Sequence, residues 1–270
     1  MIAAKTWREL RLMTLVYVLL LVFLQVPVIL LWPELYDDFR KSTLFSNLPF
    51  EFVQRIADGI RDGQEETAYR NWIAVMLFFR SVNLLGIAAG VLMGTALFAR
   101  ERETQTMEFL LTRAVSRSRV LWDKTWPTVL CVVVPIFAVN YCAIFWSRVI
   151  ENDLPFWPLT LANLHGSLFV LAILMFTIFV SVQCRVQAHV AFWVGGIVIL
   201  QIGIYLIPRF RPWSLFRLSD FDWYSPILAG NTSLRAMFDP IGGAGHSLWM
   251  LLACVAFYLL AWRALRRLEL

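Results

Sequence analysis

Apolar residues fall in six long blocks separated by polar connections. The blocks run roughly from Met13 to Trp32, Trp72 to Ala99, Trp126 to Trp146, Leu161 to Val182, Val190 to Ile207 and Leu248 to Trp262. Most approach the ~20 residues that an α-helix needs to cross a ~30 Å hydrocarbon layer. The pattern predicts an all-α integral membrane protein, with six transmembrane helices in a single domain over residues 1–270. Two connections, 33–71 and 209–247, are long excursions, and a third, 100–119, is compact and strongly patterned.

In that third connection Met107, Leu110, Leu111, Ala114 and Val115 recur at i, i+3, i+4, i+7 and i+8, one stripe of a helix. Glu108, Thr112, Arg113 and Ser116 fall off the stripe. Such a helix is amphipathic, and lies along a membrane surface or against a partner. Residues 1–12 carry Lys5, Arg8 and Arg11 beside Trp7 and Leu10, which predicts a separate interfacial helix before the first span. Within 33–71, Phe52, Val53, Ile56, Ala57 and Ile60 keep a helical period after Pro49, with Gly63 as its stop. The 209–247 excursion is rich in interface aromatics: Trp213, Phe216, Phe221, Trp223 and Tyr224.

Six crossings place both termini on one side. That side gathers Lys5, Arg8, Arg11, Arg100, Arg102, Arg113, Arg117, Arg119, Arg185, Arg263, Arg266 and Arg267 in short segments. Basic residues on the other side are spread over the long excursions and offset by acids. The positive-inside rule then makes the termini and the 100–119 connection cytoplasmic. The net charge of +5 is therefore explained by topology, and no nucleic-acid partner is implied. A composition 59% hydrophobic and 16% charged, with a mean hydropathy of +0.66, agrees with a polytopic protein.

Little in the chain suggests catalysis. Cys131, Cys142, Cys184 and Cys254 lie in or beside apolar blocks without C-x-x-C spacing, and the three histidines are isolated, so neither a metal site nor a catalytic residue is expected. No phosphate loop occurs; the nearest stretch, from Gly242 to Ser247, lacks the lysine. Four polar residues inside spans are candidates for a substrate path. Arg80 and Asn83 are expected on one face of span two, with Asn140 and Gln201 in spans three and five. Their structural alternatives are snorkelling for the arginine and helix–helix hydrogen bonds for the amides. Gly86, Gly90 and Gly94 form a small-xxx-small ridge for close helix packing.

The stretch from Glu101 to Lys124 resembles the cytoplasmic segment of ABC-2-type permeases, the type V ABC exporter group. That pattern runs E-x-E-x-G-T-[LM]-E-[FL]-L-L-[ST]-x-P-[VI]-[ST]-R, then an aliphatic pair and G-K. Glu101, Glu103, Thr106, Met107, Glu108, Phe109, Leu110, Leu111, Thr112, Val115, Ser116, Arg117 and Lys124 match it. Gln105, Ala114 and Asp123 replace a glycine, a proline and a glycine, which suggests a more continuous helix.

The resemblance implies a permease subunit of an ATP-driven exporter in a bacterial cytoplasmic (inner) membrane. It would act as a dimer with a second copy or a paralogue, bound to two separate ATPase subunits. ATP and Mg would be bound by those ATPases, with no cofactor in this chain. The matched segment would hold the coupling helix. Leu110, Leu111 and Val115 would anchor it to the span ends. Glu101, Glu103, Glu108, Arg113 and Arg117, with Thr106 beside them, would meet the ATPase or neighbouring helices. The turn from Gln183 to His189 would make a second, smaller contact.

The two long excursions suit an alternative with the same architecture: a force-transmitting complex of the copper-enzyme maturation or gliding type, acting on a periplasmic companion. A remote alternative is an intramembrane protease of the CAAX type. Its first motif resembles the E-E-x-x-x-R of Glu65, Glu66 and Arg70, but the later histidines lack the expected F-x-x-x-H context.

Overall fold

The computed structural model describes residues 2–41, 54, 58, 65–107, 116–240 and 246–267. Among these residues every regular element is helical. Six helices are long and apolar enough to cross a membrane: α1 (Ile2–Leu30), α3 (Glu65–Glu103), α4 (Arg117–Val149), α5 (Phe156–Gln183), α6 (Gln187–Leu206) and α9 (His246–Arg267). Between them lie α2 (Trp32–Lys41), α7 (Phe221–Leu228) and α8 (Leu234–Phe238), with 3-10 turns at Arg211–Trp213 and Leu215–Ser219.

α1 packs along α4, while α5 lies against both α3 and α9. The ridge of α3 faces α5. A Cβ on Gly86 would stand 2.7 Å from Val170, one on Gly90 3.6 Å from Leu174, and one on Gly94 2.8 Å from Thr177. Glycine is thus required at the first and last of these positions by the approach of the neighbouring helix. α3 and α5 are the most buried spans; α6 and α9 leave most of their surface outside the bundle.

One end of the bundle is closed by aromatic rings. Trp32 lies 5.5 Å from Tyr36, 5.5 Å from Tyr69 and 5.8 Å from Trp72, centroid to centroid. The Trp72 indole donates to the Val28 carbonyl at 3.2 Å, and the Tyr69 and Ser147 hydroxyls share a 2.5 Å hydrogen bond. Ends of α1, α3 and α4 are pinned together there. The start of α1, the end of α9 and the flanks of the 108–115 stretch sit at the opposite end.

Several boundaries differ from the sequence expectation. The basic segment 1–12 is not a separate helix: α1 passes through it unbroken, with Thr6 and Leu10 buried. The first hydrophilic turns belong to the span because neighbouring helices give them polar partners, which hydropathy does not register. The second span likewise extends from Glu65 to Glu103. The expected helix on Phe52, Val53, Ile56, Ala57 and Ile60 lies outside the described residues.

Residues 74–83 of α3 form a π-helix (Ala74–Asn83), where the Ser81 hydroxyl bonds the Met76 carbonyl at 2.7 Å. A π-turn closes over five residues rather than four, so positions three apart no longer share a face. Arg80 is accordingly exposed while Asn83 is buried, contrary to the shared face expected from a regular helix.

The second excursion is folded into the bundle. Phe221 in α7 is buried, and Tyr224 stacks on Phe78 at 4.7 Å and meets His165 edge-on at 5.4 Å. Asp220 caps α7, accepting from the Phe221 amide at 2.7 Å. The same carboxylate accepts from Tyr205 at 2.6 Å and Arg211 at 2.5 Å. α7 lies beside the π-helix and α5, and α6 ends beside Phe79, seven residues along α3 from Trp72 of the aromatic cluster. The chain forms a ledge there, with α1, α3 and α4 standing taller.

Candidate functional site

The matched segment begins in the last turns of α3. Glu101 is 8% exposed and Lys124, from the second turn of α4, is 4% exposed. Their side chains form an ion pair. Lys124 also donates to the Leu97 carbonyl at 2.5 Å and sits 5.0 Å from the centre of the Phe98 ring. Lys5 of α1 reaches the other Glu101 oxygen at 3.4 Å. One carboxylate therefore joins three helices, and each buried charge has an opposite charge or dipole facing it.

Neighbouring residues reach further. Arg102 donates through Nη1 to the carbonyls of Val182 at 2.9 Å, Gln183 at 3.2 Å and Cys184 at 3.3 Å. These are the carbonyls at the C-terminal end of α5, which lack intrahelical donors and attract a cation. Glu103 accepts from the Gln187 amide at 3.1 Å, at the N-terminus of α6, where a carboxylate is favoured for the complementary reason. Ser181 accepts from the amides of Phe98 at 3.3 Å and Ala99 at 3.0 Å.

α3 ends at Thr104 and Gln105. The Thr104 hydroxyl caps the Arg100 carbonyl at 2.9 Å, and Thr106 caps that of Glu101 at 3.3 Å. Gln105 takes φ of 58°, the left-handed region that glycine occupies without strain. The expected continuous helix is therefore broken where the family pattern carries its glycine. The caps and the packing of buried Met107 hold the turn without that glycine.

On the far flank, Ser116 caps α4, accepting from the Arg119 amide at 3.4 Å. Arg117 donates to the carbonyls of Leu265 at 3.1 Å and Arg266 at 3.0 Å, closing the end of α9. The Trp262 indole donates to Ser118 at 2.8 Å. The two flanks of the segment are thus tied to α1, α4, α5, α6 and α9. Glu108, Leu110, Leu111, Arg113 and Val115 lie outside the described residues.

Of the expected interface residues, Glu101, Glu103 and Arg117 contact neighbouring helices of the same chain, and Thr106 turns back onto α3. Lys5, Arg102 and Ser181 complete the cluster and were not singled out from sequence. The charge of Arg102 read as topology, and a serine inside an apolar span carries no signal until the facing backbone is known.

The substrate-path candidates do not converge. Asn83 donates to the Ser219 carbonyl at 2.8 Å and accepts from the Ser219 hydroxyl at 3.0 Å. Asn140 accepts from Gln25 at 2.8 Å and donates to Asn163 at 2.5 Å, linking α1, α4 and α5. Gln201 accepts from the Leu215 amide at 2.9 Å. These three amides hold elements together, while Arg80 is exposed.

The histidines are also dispersed. His165 is buried against Ser247 and the Leu218 carbonyl, His246 lies tilted against Trp223, and His189 is exposed near the start of α6. Glu66 pairs with Arg70 one turn along α3, an ordinary i,i+4 helix pair.

A family profile described as ABC-2 family transporter protein matches residues 2–216, from the first span through the fifth and into the folded excursion. No curated protein matches the chain.

Proposed function

The chain belongs to the ABC-2 transporter family, and on that premise we propose that it is the permease subunit of an ATP-driven exporter in a bacterial cytoplasmic membrane. The termini and the 100–119 connection face the cytoplasm. Two copies, or this chain and a paralogue, pair in the membrane, and two separate ATPase subunits bind and hydrolyse ATP with Mg. The observation that carries this reading is the tie of both flanks of the 108–115 stretch to each other and to four other helices. A push on that stretch is delivered to the whole bundle, because no flank can move without dragging a helix end.

In this reading Glu108, Leu110, Leu111, Arg113 and Val115 form or anchor the surface that docks on the ATPase. Glu101, Glu103 and Arg117 pass its displacement inward. A second reading keeps the same stroke but delivers it to a periplasmic companion. It is favoured by the folded excursion, which presents Trp213 with 81% of its surface exposed.

Purification of the chain from membranes in mild detergent, with identification of co-purifying proteins, tests both. A stoichiometric ATPase carrying its own phosphate loop is expected. Its absence under conditions that keep the chain folded overturns the proposal, and a stoichiometric periplasmic protein selects the second reading. Leu110→Asp and Glu108→Arg are expected to insert normally while uncoupling the ATPase. Transport and ATPase coupling at the native level in both variants would remove the docking assignment.

A further inference from the structure

α3 is among the most buried spans, yet it leaves one strip exposed: Arg80, Leu84, Ala88 and Leu92, spaced every fourth residue. Among the described residues, no carboxylate pairs with Arg80. Its guanidinium reaches the Met76 sulfur, with Nη1 3.7 Å from Sδ.

The depth of Arg80 follows from its neighbours. Trp72 bonds the Val28 carbonyl, and a Cβ on Gly86 would stand 3.3 Å from the Tyr17 hydroxyl. Interpolation between these contacts sets Arg80 level with Val22, near the middle of the apolar run from Met13 to Trp32. On the other flank Phe79 rests on Tyr205, one residue before the end of α6, with ring centroids 5.5 Å apart. Arg80 therefore stands on the ledge where α6 stops and α1 continues. A cation there is too deep beside α1 to face hydrocarbon without cost, yet its side chain is exposed. It also belongs to the ten-residue π-helix, an uncommon geometry that recurs at functional sites.

We propose that the ledge is a binding site for an anionic amphiphile, with a phosphate or carboxylate head on Arg80 and an apolar tail along Leu84, Ala88 and Leu92. This names the cargo class, and so rests on the exporter reading above. A guanidinium fork binds either head through two parallel charge-assisted hydrogen bonds. Eight residues of helix below the first tail contact give about 12 Å of apolar strip. Cationic amphiphiles are rejected by the same charge that holds anionic ones. Asn83, on the opposite side of the π-turn, fixes the helix to Ser219 and leaves the head site to Arg80 alone.

Equilibrium binding of radiolabelled dodecyl phosphate to the purified full chain in a neutral maltoside detergent tests the proposal, with dodecyltrimethylammonium as the comparison. Saturable binding of the phosphate is expected. Arg80→Gln should weaken it at least about tenfold, from the worth of hydrogen bonds to a charged group. Arg80→Lys should keep part of the affinity, and Ala88→Trp, which fills the strip while sparing the charge, should also weaken it. Arg148→Gln, at an exposed arginine in the last turn of α4, should change nothing. Unchanged affinity in Arg80→Gln overturns the proposal, as does equal loss in Arg148→Gln or equal binding of the cation. The ATPase is absent from this measurement, so failure of the exporter reading is seen separately, in the co-purification.

Discussion

Lys124→Met leaves the Glu101 carboxylate buried without its main partner. The lysine side chain is 4% exposed and that of the glutamate 10%, so solvent does little to replace what is lost. The change also removes the donor to the Leu97 carbonyl. Lys5 remains 3.4 Å from the carboxylate, but its side chain is 52% exposed and offsets little. Breaking a buried pair by deleting one partner costs about 3–5 kcal/mol. Glu101→Gln is milder, about 1–3 kcal/mol, because the lysine keeps the Leu97 carbonyl and the Phe98 ring.

The double variant Glu101→Gln/Lys124→Met removes both charges and is expected to be more stable than Lys124→Met alone. A coupling energy of about 1 kcal/mol or more should separate it from the sum of the single losses. Thermal and denaturant unfolding of the purified chain in detergent, followed by circular dichroism, supplies the four corners of the cycle. Single losses that add within about 0.5 kcal/mol would refute the claim that these residues act as one buried pair.

Three further outcomes follow from other parts of the bundle. Gln105→Gly should raise stability by about 1 kcal/mol by relieving the left-handed backbone, and a lowered unfolding midpoint would contradict that conformation. Gly94→Leu should cost at least about 1–3 kcal/mol because its first atom already meets Thr177, whereas Gly196→Leu, where a Cβ meets nothing within 4 Å, should stay within about 0.5 kcal/mol in the same unfolding assay. Asn140→Leu deprives Gln25 and Asn163 of their shared partner and should cost about 1–2 kcal/mol, with Asn140→Ala no better; native stability in Asn140→Leu would show the amide chain to be incidental.

The six spans were legible because runs such as Met13 to Trp32 have no reading other than a membrane helix. Their ends were less so. Hydropathy stops a span at its first charges, but Glu101 and Lys124 neutralise each other, so α3 and α4 each carry helix past the apolar block. Both residues stand in the matched family pattern, yet nothing in a linear sequence says that they face one another. Arg80 and Asn83 were assigned to one face by a 3.6-residue period that the π-helix does not obey. Gln105 misled in the opposite sense: a residue with little liking for the left-handed region still turns the chain, since capping threonines on either side supply what glycine otherwise would.

The ledge has a consequence for the bilayer itself. α6 has 20 residues and α4 has 33, so the same molecule presents helices of two different lengths to its lipids. A bilayer meeting a short hydrophobic flank thins to match it, and one meeting a tall flank thickens or is met by tilt. A straight α6 spans about 30 Å, the thickness of the hydrocarbon layer, whereas the longer α4 meets the same layer by tilting or by projecting past it.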